Sequence, residues 1–254
     1  MIASERKPEE VLDKAHLQEY EELHFDIWAR LNQIEASIFV LERLEDFPFE
    51  YLAFDIENTF WNCVRWNFSG MAILLIHGLI NDTEGNAIKI TEFKNRILRE
   101  WITPTEKESY RKTLKAVKFS ERVKEIGTRI TDIRHKFLAH RLLDPATRLP
   151  YSGLQGVTCS ELREICEAIK ELFNACSFGA ETLIPPIRYY CAAKGTSRDP
   201  TDIEKILHLV AKDSDFLNEP EHMGSVWPEM RKSKSDREIK TLNEWRKRLG
   251  MPEV

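Results

Sequence analysis

An arginine and two histidines lie within seven consecutive residues near the middle of this chain. They are Arg134, His135 and His140, in the segment IRHKFLAHRLLD. Arginine carries a fixed positive charge that suits phosphate oxygens, and histidine can take up and return a proton near neutral pH. Such groups can cleave RNA without a metal ion, because one activates the ribose 2′-hydroxyl while another stabilises the charged phosphorane. The segment therefore indicates phosphoryl-transfer chemistry.

The spacing of these residues also has a purely structural explanation. Arg129 and His135 have the same separation as Arg134 and His140, so the spacing by itself is not specific. Apolar residues recur at helical spacing just before His140, at Ile126, Ile130, Ile133 and Phe137. Because His140 is the next step of that stripe, a histidine buried in a helical core would account for it equally well. Both explanations stay open at this point.

Positive charge is concentrated around the motif, although the whole chain has a net charge of −5. Residues 105–141 contain eleven Lys or Arg and five Asp or Glu, a balance of 11 − 5 = +6, which leaves −5 − 6 = −11 elsewhere. A basic groove would lead RNA phosphates toward Arg134, with Lys136, Arg141 and Arg129 as the predicted substrate-binding residues. A solvated helix face, balanced by the acidic N-terminal part, would carry the same charges.

The composition favours an all-α protein, with only 10 Gly and 11 Pro in 254 residues. Five scattered cysteines without a Cys-x-x-Cys pair predict reduced thiols rather than disulfides or a zinc site. The N-terminus is polar and unlike a secretory signal, and the longest apolar run, Met71–Ile76, is too short to span a bilayer. We therefore expect a cytoplasmic protein that has no membrane partner and needs no metal or other cofactor.

Two domains are expected from the distribution of apolar and turn-forming residues. An antiparallel helical bundle is predicted over residues 1–195, and a C-terminal helical appendage over residues 196–254. The linker-like segment Ser197–Pro200 marks the change of composition between them.

Within these domains, apolar spacing and breaker residues predict a series of helices. Pro104 is expected to open one long basic helix that ends near Asp144. Thr91 is expected to cap the helix before it, and Thr158 or Ser160 the helix after it. The predicted helices cover residues 11–44, 50–80, 91–101, 104–144, 158–178, 201–212 and 236–249, and a further short helix is predicted to start at Pro185.

The motif and its surroundings resemble the HEPN superfamily of helical proteins, many of which are metal-independent ribonucleases. In that superfamily an arginine, a polar residue, a short spacer and a histidine lie on a late helix of a bundle. Here Arg134, His135 and His140 match them in turn, with His135 where Asn is frequent. The Ala139–His140 pair followed by Asp144 resembles the abortive-infection branch of bacterial toxins, as does the upstream segment IHGLINDTEGNAIKITEFKNRIL. The resemblance covers roughly residues 10–180.

One copy of the motif helix makes a poor site by itself. At about 100° per residue, Arg134 and His140 lie roughly 120° apart around a helix. His135 and His140 lie about 140° apart, which places them poorly for one metal ion. HEPN ribonucleases form composite sites at a dimer interface, so the resemblance implies a two-fold homodimer, the commonest kind of oligomer.

The resemblance implies a metal-independent endoribonuclease that acts as a toxin or an abortive-infection effector. His140 would be the main acid and base, Arg134 would hold the scissile phosphate, and His135 would orient or assist. RNA is the expected substrate, and an antitoxin protein is a possible partner. The alternative is a catalytically silent helical module that uses the same bundle to bind a partner protein.

Overall fold

The structure is a computed structural model that describes residues 6–47, 55–81, 88–139, 156–179, 202–212 and 236–248, together with Gly250 and Pro252. Over these ranges the protein is all-α, as predicted. An isolated antiparallel bridge joins Leu12 and Ile102.

The described residues form a succession of α-helices. They are α1 (Pro8–Val11), α2 (Leu17–Glu45), α3 (Asp55–Ile80), α4 (Ile90–Arg96), α5 (Lys107–Val117), α6 (Phe119–Ile133), α7 (Cys159–Ala175), α8 (Asp202–Lys212) and α9 (Asp236–Arg248). A 3₁₀ turn, Lys14–His16, precedes α2. Two π-helical turns, Ile97–Trp101 and Arg134–Ala139, continue α4 and α6.

The chain divides into two compact units, each built from two separate stretches of sequence. The first unit comprises Met1–Ile38 and Phe68–Ile187, and the second comprises Phe39–Asn67 and Arg188–Val254. This division differs from the predicted boundary near residue 195, because the units also divide α2 and α3 part-way along their lengths. The chain passes from one unit to the other three times, and a change of composition marks only the last of these passages.

The second unit is organised around a cluster of buried apolar side chains. Its buried members are Leu44, Phe47, Trp61, Leu207, Ala211 and Trp245. Phe47 and Trp245 meet edge to face with 5.0 Å between ring centroids, and the ring of His208 lies 5.8 Å from the same indole. α8 and α9, which correspond to the predicted appendage, therefore share a core with residues 39–67.

Aromatic rings form the centre of the first unit, where α2, α4 and α7 carry them. Tyr20 stacks on Phe93 with 5.6 Å between centroids and meets Trp101 edge to face at 6.4 Å. Its hydroxyl donates to the carbonyl oxygen of Cys176 (3.2 Å) and accepts from the N–H of Phe178 (3.1 Å), so this buried polar group is satisfied. Burying each large side chain contributes about 1.5–3 kcal/mol, which holds the three helices together.

His24 is a histidine that does belong to the core. It is buried between Phe93 and Phe173, whose ring centroids lie 6.3 Å and 4.4 Å from its own. Its Nε2 lies 2.8 Å from the hydroxyl oxygen of Ser177, which itself donates to the carbonyl oxygen of Phe173. Burial lowers the pKa of His24 to about 4, so the ring is neutral near pH 7.

The long basic helix predicted from Pro104 to Asp144 is interrupted at Lys118. This residue has a positive φ of 51° and separates α5 from α6. Val117 and Phe119, on either side of it, are both buried. Residues two apart point about 200° apart on one helix, so a continuous helix would expose one of them. The left-handed residue redirects the chain, and both side chains then enter the core.

The predicted helix caps agree with the structure in one case and differ in another. Thr158 begins α7 with a capping box, in which its hydroxyl accepts from the N–H of Glu161 (3.2 Å). The carboxylate of Glu161 accepts from the N–H of Thr158 (2.9 Å) in return. Thr91, by contrast, lies inside α4, which begins after Lys89 without a side-chain cap.

α3 is more apolar over its whole length than its longest uninterrupted apolar run, Met71–Ile76, indicates. Within Phe60–Ile80 it has a segment of mean hydropathy 1.4, of which 39% is buried, so it could cross a membrane by length and composition alone. The core helix of a soluble protein passes the same test. In the first unit, Ala72, Ile76 and Leu79 of this helix are fully buried.

Candidate functional site

Arg134, His135 and Lys136 lie in a π-helical turn that continues directly from α6 and ends at Ala139. Hydrogen bonding from residue i to i+5 widens the helix there, so the rule of 100° per residue no longer gives the angles between the residues of this turn. Turns of this kind are frequently found at functional sites. Two of the predicted site residues lie outside the described residues, His140 and Arg141. The other four are Arg129, Arg134, His135 and Lys136.

Arg134 and His135 are paired through their side chains. Nη1 of Arg134 lies 3.1 Å from Nδ1 of His135, and both residues are half-buried. A guanidinium group can only donate, so Nδ1 is the accepting nitrogen and the neutral imidazole carries its proton on Nε2. The bond uses one of the five N–H donors of the guanidinium and restricts its orientation.

A buried histidine from α3 packs against this pair. The ring of His77 meets that of His135 at 89°, with 5.6 Å between centroids. Only 4% of His77 is exposed. Edge-to-face contacts between rings have a preferred geometry, so His77 limits the positions that His135 can adopt. Through His135, the contact also limits the positions of Arg134.

The end of α3 is attached to α6 by hydrogen bonds just before the motif. Nδ2 of Asn81 donates to the carbonyl oxygen of Gly127 (3.1 Å) and to the hydroxyl of Thr131 (2.8 Å). Gly127 permits this close approach, because a Cβ atom there would lie 3.2 Å from Cδ1 of Ile80. Gly127, Thr131 and His135 recur every four residues, so one face of α6 and its π-helical turn lies along the end of α3.

His77 and Asn81 are absent from the predicted site, although the sequence carries a signal for them. His77 lies among apolar residues of α3, between the fully buried Ile76 and Leu79. Asn81 follows four residues later, at the spacing of one helix face. Polar side chains at helical spacing on a buried face indicate a polar partner in a neighbouring helix.

Arg129 is engaged in an ion pair at the start of α7. Its Nη2 contacts the carboxylate of Glu161, and its Nη1 donates to the carbonyl oxygen of Gly156 (3.2 Å). Glu161 is also the capping-box residue of α7, so the pair connects α6 to the first turn of that helix. The hydrogen bond from Arg129 lowers the pKa of Glu161 to about 2. A phosphate would have to displace this carboxylate before Arg129 could bind it.

Replacing Arg129 by alanine should make the stability of the protein less sensitive to acid. A carboxyl group whose pKa is lowered by folding stabilises the fold above its ordinary pKa of 4.5, and this contribution is lost as the pH falls toward 2. In Arg129→Ala the pKa of Glu161 rises toward 4.5, so less stability is lost across that range. Urea unfolding of both proteins between pH 5 and 2 measures the difference, and equal acid sensitivity would contradict the assignment.

Part of the positive charge around the motif is balanced by neighbouring acids. Nζ of Lys136 lies 3.2 Å from the carboxylate of Asp132, one turn earlier. Arg122 lies 2.5 Å from a carboxylate oxygen of Glu171 on α7. Partly exposed pairs of this kind contribute at most about 1 kcal/mol each. Some of the predicted basic groove is therefore a solvated helix face whose cations are paired with acids. A cation in such a partly exposed pair can exchange its acid for another anion.

A second charged cluster connects α2 to α7 away from the motif. The buried carboxylate of Glu35 accepts from Arg163 (2.6 Å) and from Lys170 (2.7 Å). Burial raises the pKa of Glu35, but the two cations outweigh it and lower the pKa overall. Sγ of Cys166 lies 3.5 Å from the same carboxylate, and burial raises the pKa of this thiol. The cluster therefore holds two helices together and offers no reactive thiolate.

Comparison with protein-family models, with curated proteins and with solved structures gives no match for this chain. Function therefore has to be inferred from the side chains themselves. Among the predicted site residues, Arg134 and His135 are in direct contact, whereas Lys136 and Arg129 are bound to Asp132 and Glu161.

Proposed function

We propose that this protein is a metal-independent endoribonuclease of the HEPN type, similar to abortive-infection and toxin–antitoxin effectors. The observation that supports the proposal is the contact between Arg134 and His135 inside a π-helical turn, against the buried ring of His77. A guanidinium held beside an imidazole corresponds to the arginine and the polar residue of the HEPN motif. A helix does not need this arrangement for its own stability, whereas phosphoryl transfer does need an oriented cation.

The proposed reaction is the attack of a ribose 2′-oxygen on the adjacent phosphorus. His140 removes the proton of the 2′-hydroxyl as the new P–O bond forms and the bond to the 5′-oxygen breaks. Arg134 binds the scissile phosphate and stabilises the negative charge of the phosphorane. The departing 5′-oxygen accepts a proton from a protonated His140, which returns to its neutral form, so the products carry a 2′,3′-cyclic phosphate and a 5′-hydroxyl.

The remaining residues of the motif have supporting roles in this proposal. His135 positions Arg134, since its Nδ1 accepts from the guanidinium. Lys136 and Arg141 bind flanking phosphates, and Lys136 can exchange Asp132 for a phosphate because their contact is partly exposed. Arg129 contributes less to substrate binding, because Glu161 holds it.

The active form is proposed to be a two-fold homodimer in which two motif turns face one another. Apolar side chains near the motif would contribute to its interface. Met71 and Leu74 of α3 are 50% and 44% exposed and lie within two turns of His77. In such a cleft, Arg134 of one protomer and the partner's His140 act on the same phosphate.

Mixing Arg134→Ala chains with His140→Ala chains should restore part of the cleavage activity. Random reassociation makes half of the dimers mixed, and each mixed dimer holds one intact site, so roughly a quarter of the wild-type rate is expected. The rate is measured after the two variants are unfolded and refolded together, beside each variant alone. If sedimentation shows dimers but no activity returns, each site is formed within a single chain and the composite cleft is wrong.

A catalytically silent interaction module is the second candidate function. Phe25 of α2 is 65% exposed and stacks on Trp28 with 5.7 Å between centroids. Aromatic side chains as exposed as Phe25 are typical of surfaces that another protein covers. An antitoxin would be one such partner, and it could bind this surface whether or not the motif is active.

The growth of bacterial cells that express the chain separates the two functions. A ribonuclease should arrest growth, whereas the Arg134→Ala chain, produced at the same level, should not. Growth curves are compared at equal protein levels determined by immunoblotting. Unchanged growth with the wild-type chain favours the interaction module. Equal arrest by both chains would show that the toxicity does not come from the motif.

A further inference from the structure

An open cleft of about 650 Å³ lies where α4, α5 and α6 meet, at the end of α6 opposite to the motif. Its floor is apolar and includes Leu98, Leu114 and Phe119. Its rim is charged, with the four cations Lys94, Arg111, Lys115 and Lys118 against the two acids Glu108 and Glu121. The cleft therefore combines an apolar surface with an excess of positive charge.

Three of the four cations in the rim have no acidic partner among the described residues. Arg111 lies 3.9 Å from a carboxylate oxygen of Glu108. Lys94, Lys115 and Lys118 form no ion pair with any residue in the part of the chain that the structure describes. Holding like charges near one another costs Coulomb energy, which a bound anion would relieve. The arginines of α6 differ in this respect, because both are in ion pairs with acids of α7.

We propose that this cleft binds the phosphates of single-stranded RNA, an inference that rests on the ribonuclease activity proposed above. The lysines of the rim suit phosphate oxygens, and the apolar floor suits a base or a ribose. The backbone geometry supports this placement. Lys118 is the left-handed residue between α5 and α6, and its exposed side chain lies on the rim beside Lys115.

The distance between the cleft and the motif sets the length of RNA that can use both. Fifteen residues separate Phe119 from Arg134, which corresponds to about 22 Å at 1.5 Å per residue. A stacked strand rises about 3.4 Å per nucleotide, so a stacked strand needs six or seven nucleotides to reach both. The cleft should therefore increase affinity for longer strands and leave the binding of shorter ones unchanged.

A charge-matched pair of double variants tests this proposal. Lys115→Gln with Lys118→Asn removes two charges from the rim, and asparagine tolerates the left-handed backbone. The control, Lys112→Gln with Lys124→Gln, removes two exposed lysines of the same helices that do not line the cleft. Affinity for a fluorescein-labelled, 2′-O-methylated single-stranded RNA is measured by anisotropy over a range of salt concentrations. Circular dichroism verifies that all the proteins are folded.

The rim variant should bind a long strand about tenfold more weakly than the control, and its log–log salt slope should be smaller by about 1.4. Both variants should bind a strand of four nucleotides equally. Equal affinities and slopes for the long strand would overturn the cleft, as would an equal loss at both lengths. The probe cannot be cleaved, so the result does not depend on catalysis. If the wild-type protein cleaves RNA but the rim variant binds the long strand as well as the control does, only the cleft proposal is refuted. If the rim variant binds more weakly but the wild-type protein does not cleave RNA, only the proposed reaction is refuted.

Discussion

Replacing Arg134 or His140 by alanine is expected to lower the rate of RNA cleavage by about 10²–10⁴-fold while the protein stays folded and dimeric. In the proposed reaction, Arg134 provides the charge that stabilises the phosphorane, and His140 carries the proton of the attacking hydroxyl. Each loss acts on the transition state, so it should appear in the rate at saturating RNA as well as at low RNA. Initial rates on a labelled RNA, with circular dichroism and sedimentation on the same samples, measure the effect.

Two further variants separate chemistry from packing at the motif. Arg129→Ala should retain most of the cleavage rate per folded molecule, because its guanidinium is held by Glu161. His135→Asn should retain more activity than His135→Ala, since an amide oxygen can still accept from Arg134. If Arg134→Ala or His140→Ala unfolds the protein, that residue is a core residue. If both variants fold and still cleave, the site has been assigned to the wrong residues.

The helices could be predicted from apolar spacing, but their interruptions could not. α7 and α8 begin close to their expected positions, since Thr158 offers a capping side chain and apolar residues recur regularly in both helices. The break at Lys118 involves neither Gly nor Pro, so no breaker residue marks it. Its only signal is that the apolar residues Val117 and Phe119 lie two positions apart, whereas apolar residues on one helix face recur every three or four positions. The exposed lysine carries the strained backbone because both of its neighbours are buried.

The local part of the site was also within reach of the sequence, whereas its surroundings were not. Arg134 and His135 are adjacent in the chain, so their contact needs only a local turn. His77 is 58 positions earlier, and only the packing of α3 on α6 brings its ring to His135. Likewise, no spacing rule connects Arg129 with Glu161 on α7. The net charge of a basic segment, counted from the sequence, does not show which of its cations form ion pairs with acids elsewhere in the chain.

The same limit applies to the division of the chain into units. The linker-like segment after residue 195 is a local feature, and it predicts a C-terminal helical appendage. In the structure Trp245 is buried in one cluster with Leu44, Phe47 and Trp61. Contacts between residues some two hundred positions apart leave no periodic signal in the sequence.

The second large effect concerns the nucleophile. The motif supplies a proton carrier and a cation for the phosphate, but it has no cluster of carboxylates suited to hold magnesium. In the proposed reaction no metal-activated water takes part, and the nucleophile is the neighbouring ribose hydroxyl, whose proton His140 removes. A single 2′-deoxyribose at the cleavage position should therefore abolish cutting at that position, and cleavage elsewhere in the same strand should continue.

The measurement that tests this account most directly is cleavage of matched RNA strands in EDTA, with ribose or 2′-deoxyribose at the cleavage position. The ribose strand should be cut at an unchanged rate and yield a 2′,3′-cyclic phosphate, which mass spectrometry of the products identifies. The deoxyribose strand should stay intact at that position. Loss of activity in EDTA that magnesium restores, or cutting at the deoxyribose position, would contradict a metal-independent ribonuclease acting through the 2′-hydroxyl.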